Sequence, residues 1–303
     1  MPNRRWVSRW ATLLALLTIA AVAGWLLLRP LPHVTPRIVR VAPTAVVTSA
    51  PAATVREIIA PSPSPSPAPT PSALVTANPN GVKLALIVDD CGQWIDTERG
   101  FVALQIPLTL SVLPDVPYTG EISREAADAG KGVMLHLPME TLSGMNPGPG
   151  KVTTEMSDQQ IAAQVEADLA QLPQARGVNN HEGSKATADR RVMRAVIGVL
   201  AQRGDLFFID SRTNPASVGE ETAQDLGVPT ASRDVFLDNR TEVAYSEAQL
   251  LQAAEIAKQK GSAIAIGHPR PTTLAAVRAM IPRLEASGIQ FVLVSDLVAT
   301  NAR

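Results

Sequence analysis

The strongest constraint in this sequence is an alternation that begins at Gly81 and runs to the C-terminal end. The apolar runs "KLALIVDD", "IPLTLSVLP", "GVMLHLPM", "ARGVNNH", "LFFIDSRT", "SAIAIGHP" and "IQFVLVSDL" read as buried strands, with a short further piece near "VPTASRDVFLD". Helical patterns lie between several of them: "SDQQIAAQVEADLAQLP", "ADRRVMRAVIGVLAQRG", "SEAQLLQAAEIAKQKG" and "TTLAAVRAMIPRLEASG". Strands that are apolar on both faces and separated by helices must be covered by those helices. The pattern therefore predicts an α/β domain with a parallel sheet, open or closed into a barrel. Residues 81–303 suffice for one such domain around one core.

In folds of this kind the loops after the C-terminal strand ends build the functional site. The unusual residues of this chain fall there: "VDD" ends the first strand, "LHLPME" the third, "GVNNHEGS" the fourth, "FIDSRT" the fifth and "IGHP" a late one. Three of the four histidines, His136, His181 and His268, occupy these ends. One histidine at a strand end is more often structural, but three beside glycine, proline or asparagine turn residues point to a site. Imidazoles with carboxylates suit a divalent cation, zinc foremost, with an open position for water. A carboxylate beside such a cation can take a proton from water, and a separate histidine can protonate a leaving group. The i, i+4 histidine spacing of helical metalloproteases is absent.

Asp89 and Asp90 close "LALIVDD", where adjacent side chains diverge and can aim two acids at one mouth; helix capping is the competing reading. Gly92 permits a sharp turn beyond them. Cys91, the single cysteine, excludes an internal disulfide framework and a cysteine-rich metal site. No histidine is its sequence neighbour, which disfavours a thiolate nucleophile. A formal net charge of -1 offers no bulk attraction for nucleic acid or an acidic substrate, so no nucleic-acid partner is expected.

The first eighty residues are of another kind. Arg4, Arg5 and Arg9 precede an uncharged run from Ala11 to Leu28, long enough to span hydrocarbon, with Trp10 and Trp25 placed for its interfaces. Residues 1–29 read as an inner-membrane anchor with a cytoplasmic N-terminus, which puts the rest of the chain in the periplasm. A signal peptide cleaved near "AVAG" is the alternative; the anchor is favoured because cleavage would leave Trp25 to Leu28 as an apolar tail. Residues 30–80, with "PSPSPSPAPTP", have the composition of an extended, disordered linker, in which His33 is exposed and functionally silent.

From Val82 to Leu297 the chain resembles the divergent polysaccharide deacetylases, relatives of the NodB-type carbohydrate esterases. The blocks "IVDDCG", "IPLTLSVLP", "LHLPME", "GVNNHEGS", "FFIDSRT", "RDVFLDN" and "AIAIGHP" stand in the family's order. The resemblance implies a distorted, incomplete (β/α) barrel and metal-dependent removal of acetyl groups from an N-acetylated polysaccharide. By the same resemblance Asp89 matches the base on water, Asp90 a metal ligand, His136 the first histidine of the HxxxH ligand motif, and His268 the late histidine that protonates the leaving amine. Glu140 stands where that motif has its second histidine, and His181 is preferred to it as third ligand because an imidazole preserves the donor set. The arginine motif that orients the base has no match. Arg212 is the expected replacement, since its guanidinium can fork onto a carboxylate.

Asp210 is read either as orienting His268 or a metal-bound histidine, or as a turn residue. Asn179 and Asn180 are read as binding substrate hydroxyls or shaping the turn, with the turn favoured for Asn179, while Asp234, Asp238 and Asn239 are read as fixing a loop, with lining the groove as the alternative. Trp94, Tyr118 and Tyr245 are the tryptophan and tyrosines of this domain, too few for a broad sugar-stacking platform; Trp94 is the best candidate, with packing under the first loop as its equal alternative. The leading expectation is a periplasmic deacetylase acting on envelope or secreted polysaccharide. The alternative is a catalytically silent relative that binds a glycan or an envelope protein. The altered HxxxH motif favours silence, whereas Asp89, Asp90 and His268 favour hydrolysis.

Overall fold

The computed structural model describes residues 81–301. The anchor and linker expectations for residues 1–80 lie outside the described residues. Among those described, no helix is long and apolar enough to cross a membrane.

The apolar runs form strands β1 (Val82–Cys91), β2 (Thr109–Val112), β3 (Gly132–Met139), β4 (Gly177–Glu182), β5 (Phe207–Asp210), β6 (Thr230–Ser232), β7 (Val235–Phe236), β8 (Ser262–Gly267) and β9 (Ile289–Val292). Their order is β6-β5-β4-β3-β2-β1-β8-β7, with every pairing parallel. One edge of β1 pairs with β8 from Lys83 to Val88; the other is shared, its first half with β9 and its second with β2. The terminal strands of this order, β6 and β7, are consecutive in the chain and separated by Arg233 and Asp234 alone. The curled sheet is thus bridged by the covalent backbone, giving the incomplete α/β barrel that the resemblance implies. "VPTASRDVFLD" supplies both of its edges.

The four helical patterns become α3 (Asp158–Ala170), α4 (Arg190–Arg203), α6 (Val243–Lys260) and α7 (Pro271–Ala286). Their limits follow from local chemistry. Ser157 and Gln160 close a capping box before α3, while Asp189 accepts from the Arg191 and Val192 amides and Gly204 ends α4 at φ 75°. Shorter helices α1 (Ile95–Val102), α2 (Thr119–Asp128), α5 (Gly219–Asp225) and α8 (Ser295–Asn301) lack so long a periodic stretch. The "IQFVLVSDL" run therefore holds β9 and the start of α8.

Period-two alternation sorts the core. Leu84, Leu86 and Val88 of β1 face outward to the helix layer, with Leu110, Val112, Val178, Phe208 and Ala265. Ala85 and Ile87 face the barrel interior, where they meet Met134, Phe207, Ile209, Ile264 and Ile266, together with Val294, Leu297 and Val298 around the start of α8.

Candidate active site

Continuing the inward parity toward the C-terminal strand ends gives Asp89 on β1, Ser111 on β2, His136 on β3, Asn179 and His181 on β4, Ser211 after β5 and His268 after β8. Register sets His136 opposite Asn179 and Pro138 opposite His181. Asp90, next to Asp89, would by parity face outward. A bulge prevents it. Val88 pairs with Leu110 but Cys91 with Val112, so β1 carries one residue more than β2 there, and Asp90 takes a left-handed φ of 57°. Both acids consequently address the same mouth.

Asp90 Oδ1, His136 Nε2 and His181 Nδ1 form a triangle with sides of 3.2, 2.8 and 3.1 Å. Ligand atoms about 2 Å from a common ion are separated by about this much. Asp90 Oδ1 is buried and no donor is aligned on it, although two ring nitrogens lie within 3.2 Å. An oxygen left so, with two imidazole nitrogens facing it, fits a divalent cation, and these three side chains are the group of possible ligands found among the described residues. Burial works to raise the Asp90 carboxyl, but His136 and His181 outweigh it and hold it far below the usual range.

Two further groups flank the triangle. Asp89 is buried; its Oδ1 accepts from Asn179 Nδ2 at 2.8 Å, and its Oδ2 lies 3.7 Å from His136 Nε2. Burial raises its pKa against the opposing pull of His136, His268 and Asn179. On the other side, His268 Nε2 is 3.9 Å from Asp90 Oδ2. Its Nδ1 lies 2.8 Å from Asp238 Oδ1, and its backbone amide donates to Asp238 Oδ2. Burial depresses the His268 pKa, but Asp238, with help from Asp90 and Asp89, lifts it to about 9. A histidine so held favours its protonated form, the form that can donate.

The structure corrects several expectations. Asp238, not Asp210, orients His268. Asp210 follows Ile209 and so faces outward, where it accepts from the Arg212 amide and Ser217 Oγ. Arg212 does not fork onto Asp89; it occupies the left-handed region at φ 49°, and Arg233 is the arginine that feels the charge of Asp89. The Arg233 guanidinium donates to the Ser211 and Arg212 carbonyls and lies 3.7 Å over the Phe236 ring, which itself stacks on His268. Asn179 is a fully buried mid-strand residue, not a turn residue. Its oxygen accepts from Ser111 Oγ and lies 2.8 Å from His136 Nδ1; its nitrogen donates to Asp89 and to Ser211 Oγ.

Asn180 is buried facing outward, where it donates to the Glu182 carbonyl and Thr213 and accepts from the Ser211 amide. Glu140 is engaged elsewhere, by Lys185 at 2.7 Å and by the amide and hydroxyl of Thr154, which hold it down at about 2. Asp234 does fix a loop, through Lys260 and the Ile264 amide.

The sequence reading passed over Ser111 and Ser211, which share the inward parity, and also Glu98. One oxygen of Glu98 accepts from the Gly92, Gln93 and Trp94 amides and so shapes the turn that follows the two acids. Trp94 is 62% exposed on that turn, with its indole available to solvent. Cys91 is buried and burial pushes its thiol up, away from reactivity. A cavity of about 140 Å³ adjoins His181, walled in part by Gln93, Pro114, Pro138, Asn146 and Pro147. A larger cavity of about 370 Å³ opens at the other end of the strands, beside Thr109, Gly132 and Arg176, remote from this chemistry.

The sequence profile of the divergent polysaccharide deacetylases matches residues 86–298, and the chain belongs to that family. It is 35% identical over 202 residues to an uncharacterized protein of Haemophilus influenzae strain Rd, covering 67% of this chain and 72% of that one. The uncharacterized protein YibQ of Escherichia coli K12 is also 35% identical over 202 residues, covering 67% of this chain but 63% of the relative, less than two thirds of its length. The crystal structure of an uncharacterized protein from Agrobacterium tumefaciens C58 shares the fold with a TM-score of 0.69 at 22% identity, over 73% of this chain and 91% of that one.

Proposed function

We propose that the protein is a metal-dependent hydrolase that removes acetyl groups from an N-acetylated polysaccharide, with zinc as the cation. The observation that carries this reading is the triangle of Asp90, His136 and His181 around an unsatisfied buried oxygen, set between a buried carboxylate and a carboxylate-held histidine. A divalent cation bound by the three atoms supplies Lewis-acid charge to the amide carbonyl. Water adds to the carbonyl carbon and Asp89 takes its proton, its Oδ1 steadied by Asn179 and its Oδ2 turned toward the centre. The C–N bond breaks as His268 Nε2 gives its proton to the amine nitrogen, with Asp238 keeping the ring oriented and positively charged until then. Acetate and a free amine leave. The cavity beside His181 and the exposed Trp94 offer room for the sugar. The anchor and linker readings of residues 1–80 put this reaction at the periplasmic face of a bacterial inner membrane.

The test is elemental analysis of the purified protein followed by assay on acetylated chito-oligosaccharides. Stoichiometric zinc with release of acetate supports the reading. Bound zinc without turnover on a broad panel of acetylated glycans would move the assignment to a silent glycan-binding relative.

A further inference from the structure

We infer that Asn179 is a positioning residue that joins the ligand His136 to the base Asp89 through a single amide, setting the tautomer of the one and the orientation of the other. The inference deepens the reading above and rests on Asp90, His136 and His181 being a cation site.

An amide offers one accepting oxygen and two donating hydrogens. An ionised carboxylate only accepts, so the NH2 end of Asn179 must face Asp89, where it stands 2.8 Å from Oδ1. The oxygen is then the atom 2.8 Å from His136 Nδ1. Because that oxygen can only accept, Nδ1 must carry the ring proton. In the neutral ring, the form that binds a cation, the lone pair is then left on Nε2, the atom that stands 3.2 Å from Asp90 Oδ1 and 3.1 Å from His181 Nδ1. This is the tautomer that can ligate a cation from Nε2.

The remaining valences are filled as well. Ser111 Oγ donates to the amide oxygen, and Ser211 Oγ receives the second N–H. A flipped amide would set its oxygen against the Asp89 carboxylate and its NH2 against a ring N–H, and the burial of all three side chains makes either contact costly. Asn179 is fully buried and lies in the β4 ladder opposite His136, so strand pairing holds the amide itself in place. The structure thus makes a non-ligand carboxylate part of the support of a ligand. Asp89 orders Asn179, and Asn179 orders His136.

Two variants of nearly unchanged shape separate the arms. Asn179→Asp keeps an acceptor for His136 but replaces the donor to Asp89. Asn179→Leu removes both. Zn2+ affinity of the metal-free protein is read by competition with a chromophoric chelator, turnover at saturating Zn2+, and thermal unfolding without metal. Asn179→Leu should weaken Zn2+ binding by about 10- to 100-fold. Asn179→Asp should stay within a few-fold of the parent in Zn2+ affinity and lose at least about tenfold in turnover. If Asn179→Leu does not fold, Asn179→Ala takes its place against Asn179→Asp with the same expected split. The inference is overturned if the two variants lose Zn2+ affinity equally, or if the apolar variant merely unfolds at lower temperature while its folded fraction binds Zn2+ like the parent. A parent protein that binds no Zn2+ would defeat the cation reading itself, whereas tight binding in parent and Asn179→Leu alike would defeat only the role of Asn179.

Discussion

The inward faces of the same strands carry two different chemistries at their two ends. In the lower layer Ala85, Ile87, Phe207, Ile209, Ile264 and Ile266 fill the barrel and pack against Val294, Leu297 and Val298. One step further along those strands, at the same parity, stand Asp89, Ser211 and His268. The lower layer is stabilised by removing apolar surface from water, which asks only for volume and close contact. The upper layer buries polar groups, each of which costs free energy unless it is partnered. Its network is nearly saturated, and the atom left over, Asp90 Oδ1, is the one aimed at the proposed cation. Changes in the lower layer should therefore alter stability and spare chemistry, whereas changes in the upper layer should do the reverse.

The largest effect should come from Asp89→Asn, which removes the base while leaving the three ligand atoms: turnover is abolished and bound zinc remains near one per chain. Loss of zinc together with activity would show that the upper layer fails as a whole. His268→Ala should follow, with turnover lower by about 10²- to 10⁴-fold and zinc retained, measured by acetate release. Below it comes Ile264→Ala in the lower layer, where a buried isoleucine is truncated. It should cost about 2–5 kcal/mol in chemical denaturation, with zinc content and turnover of the folded protein unchanged. A drop in turnover per folded molecule would mean that the layers are coupled.

The next effect is a shift in pH dependence. Because Asp238 raises the His268 pKa to about 9, turnover should fall as pH rises through that region, and Asp238→Asn should move the limb to lower pH. The linked contribution to stability has the same sign: it is present in full below the unfolded histidine value of about 6.5 and lost as pH climbs toward 9. A limb that stays in place in the variant would remove His268 from the proton transfer. The smallest change is expected of Glu140→Gln, whose carboxylate serves Lys185 and Thr154. Its zinc content should match the parent's, in contrast to His181→Ala, which should lose most of the metal. The opposite pattern would make Glu140 the third ligand.

Much of the upper layer was legible as parity. Counting by two from Ile87 reaches Asp89, from Met134 reaches His136, and from Ile264 reaches His268 through Ile266. The same count carries Ile209 to Ser211 and past Asp210, so it already excluded Asp210 and pointed to the overlooked serine. Asn179 was misread because an Asn-Asn pair beside a histidine suggests a turn, although its position two residues before His181 assigns it to the same inward row.

The sequence by itself determined the alternation of strand and helix, the strand faces and the placing of polar residues at one end, because side-chain period and capping are local properties of the chain. Three features were decided only by the tertiary structure. The bulge that turns Asp90 inward exists because β1 must match the shorter ladder of β2. Asp238 meets His268, and Arg233 comes into the field of Asp89, because the chain crosses from β6 to β7 where the sheet curls on itself. Glu140 turns away from the centre because Lys185 and Thr154, distant in sequence, offer it better partners than a site already holding Asp90. Contacts of that kind depend on which strands become neighbours, and no local pattern of residues encodes the distance between them.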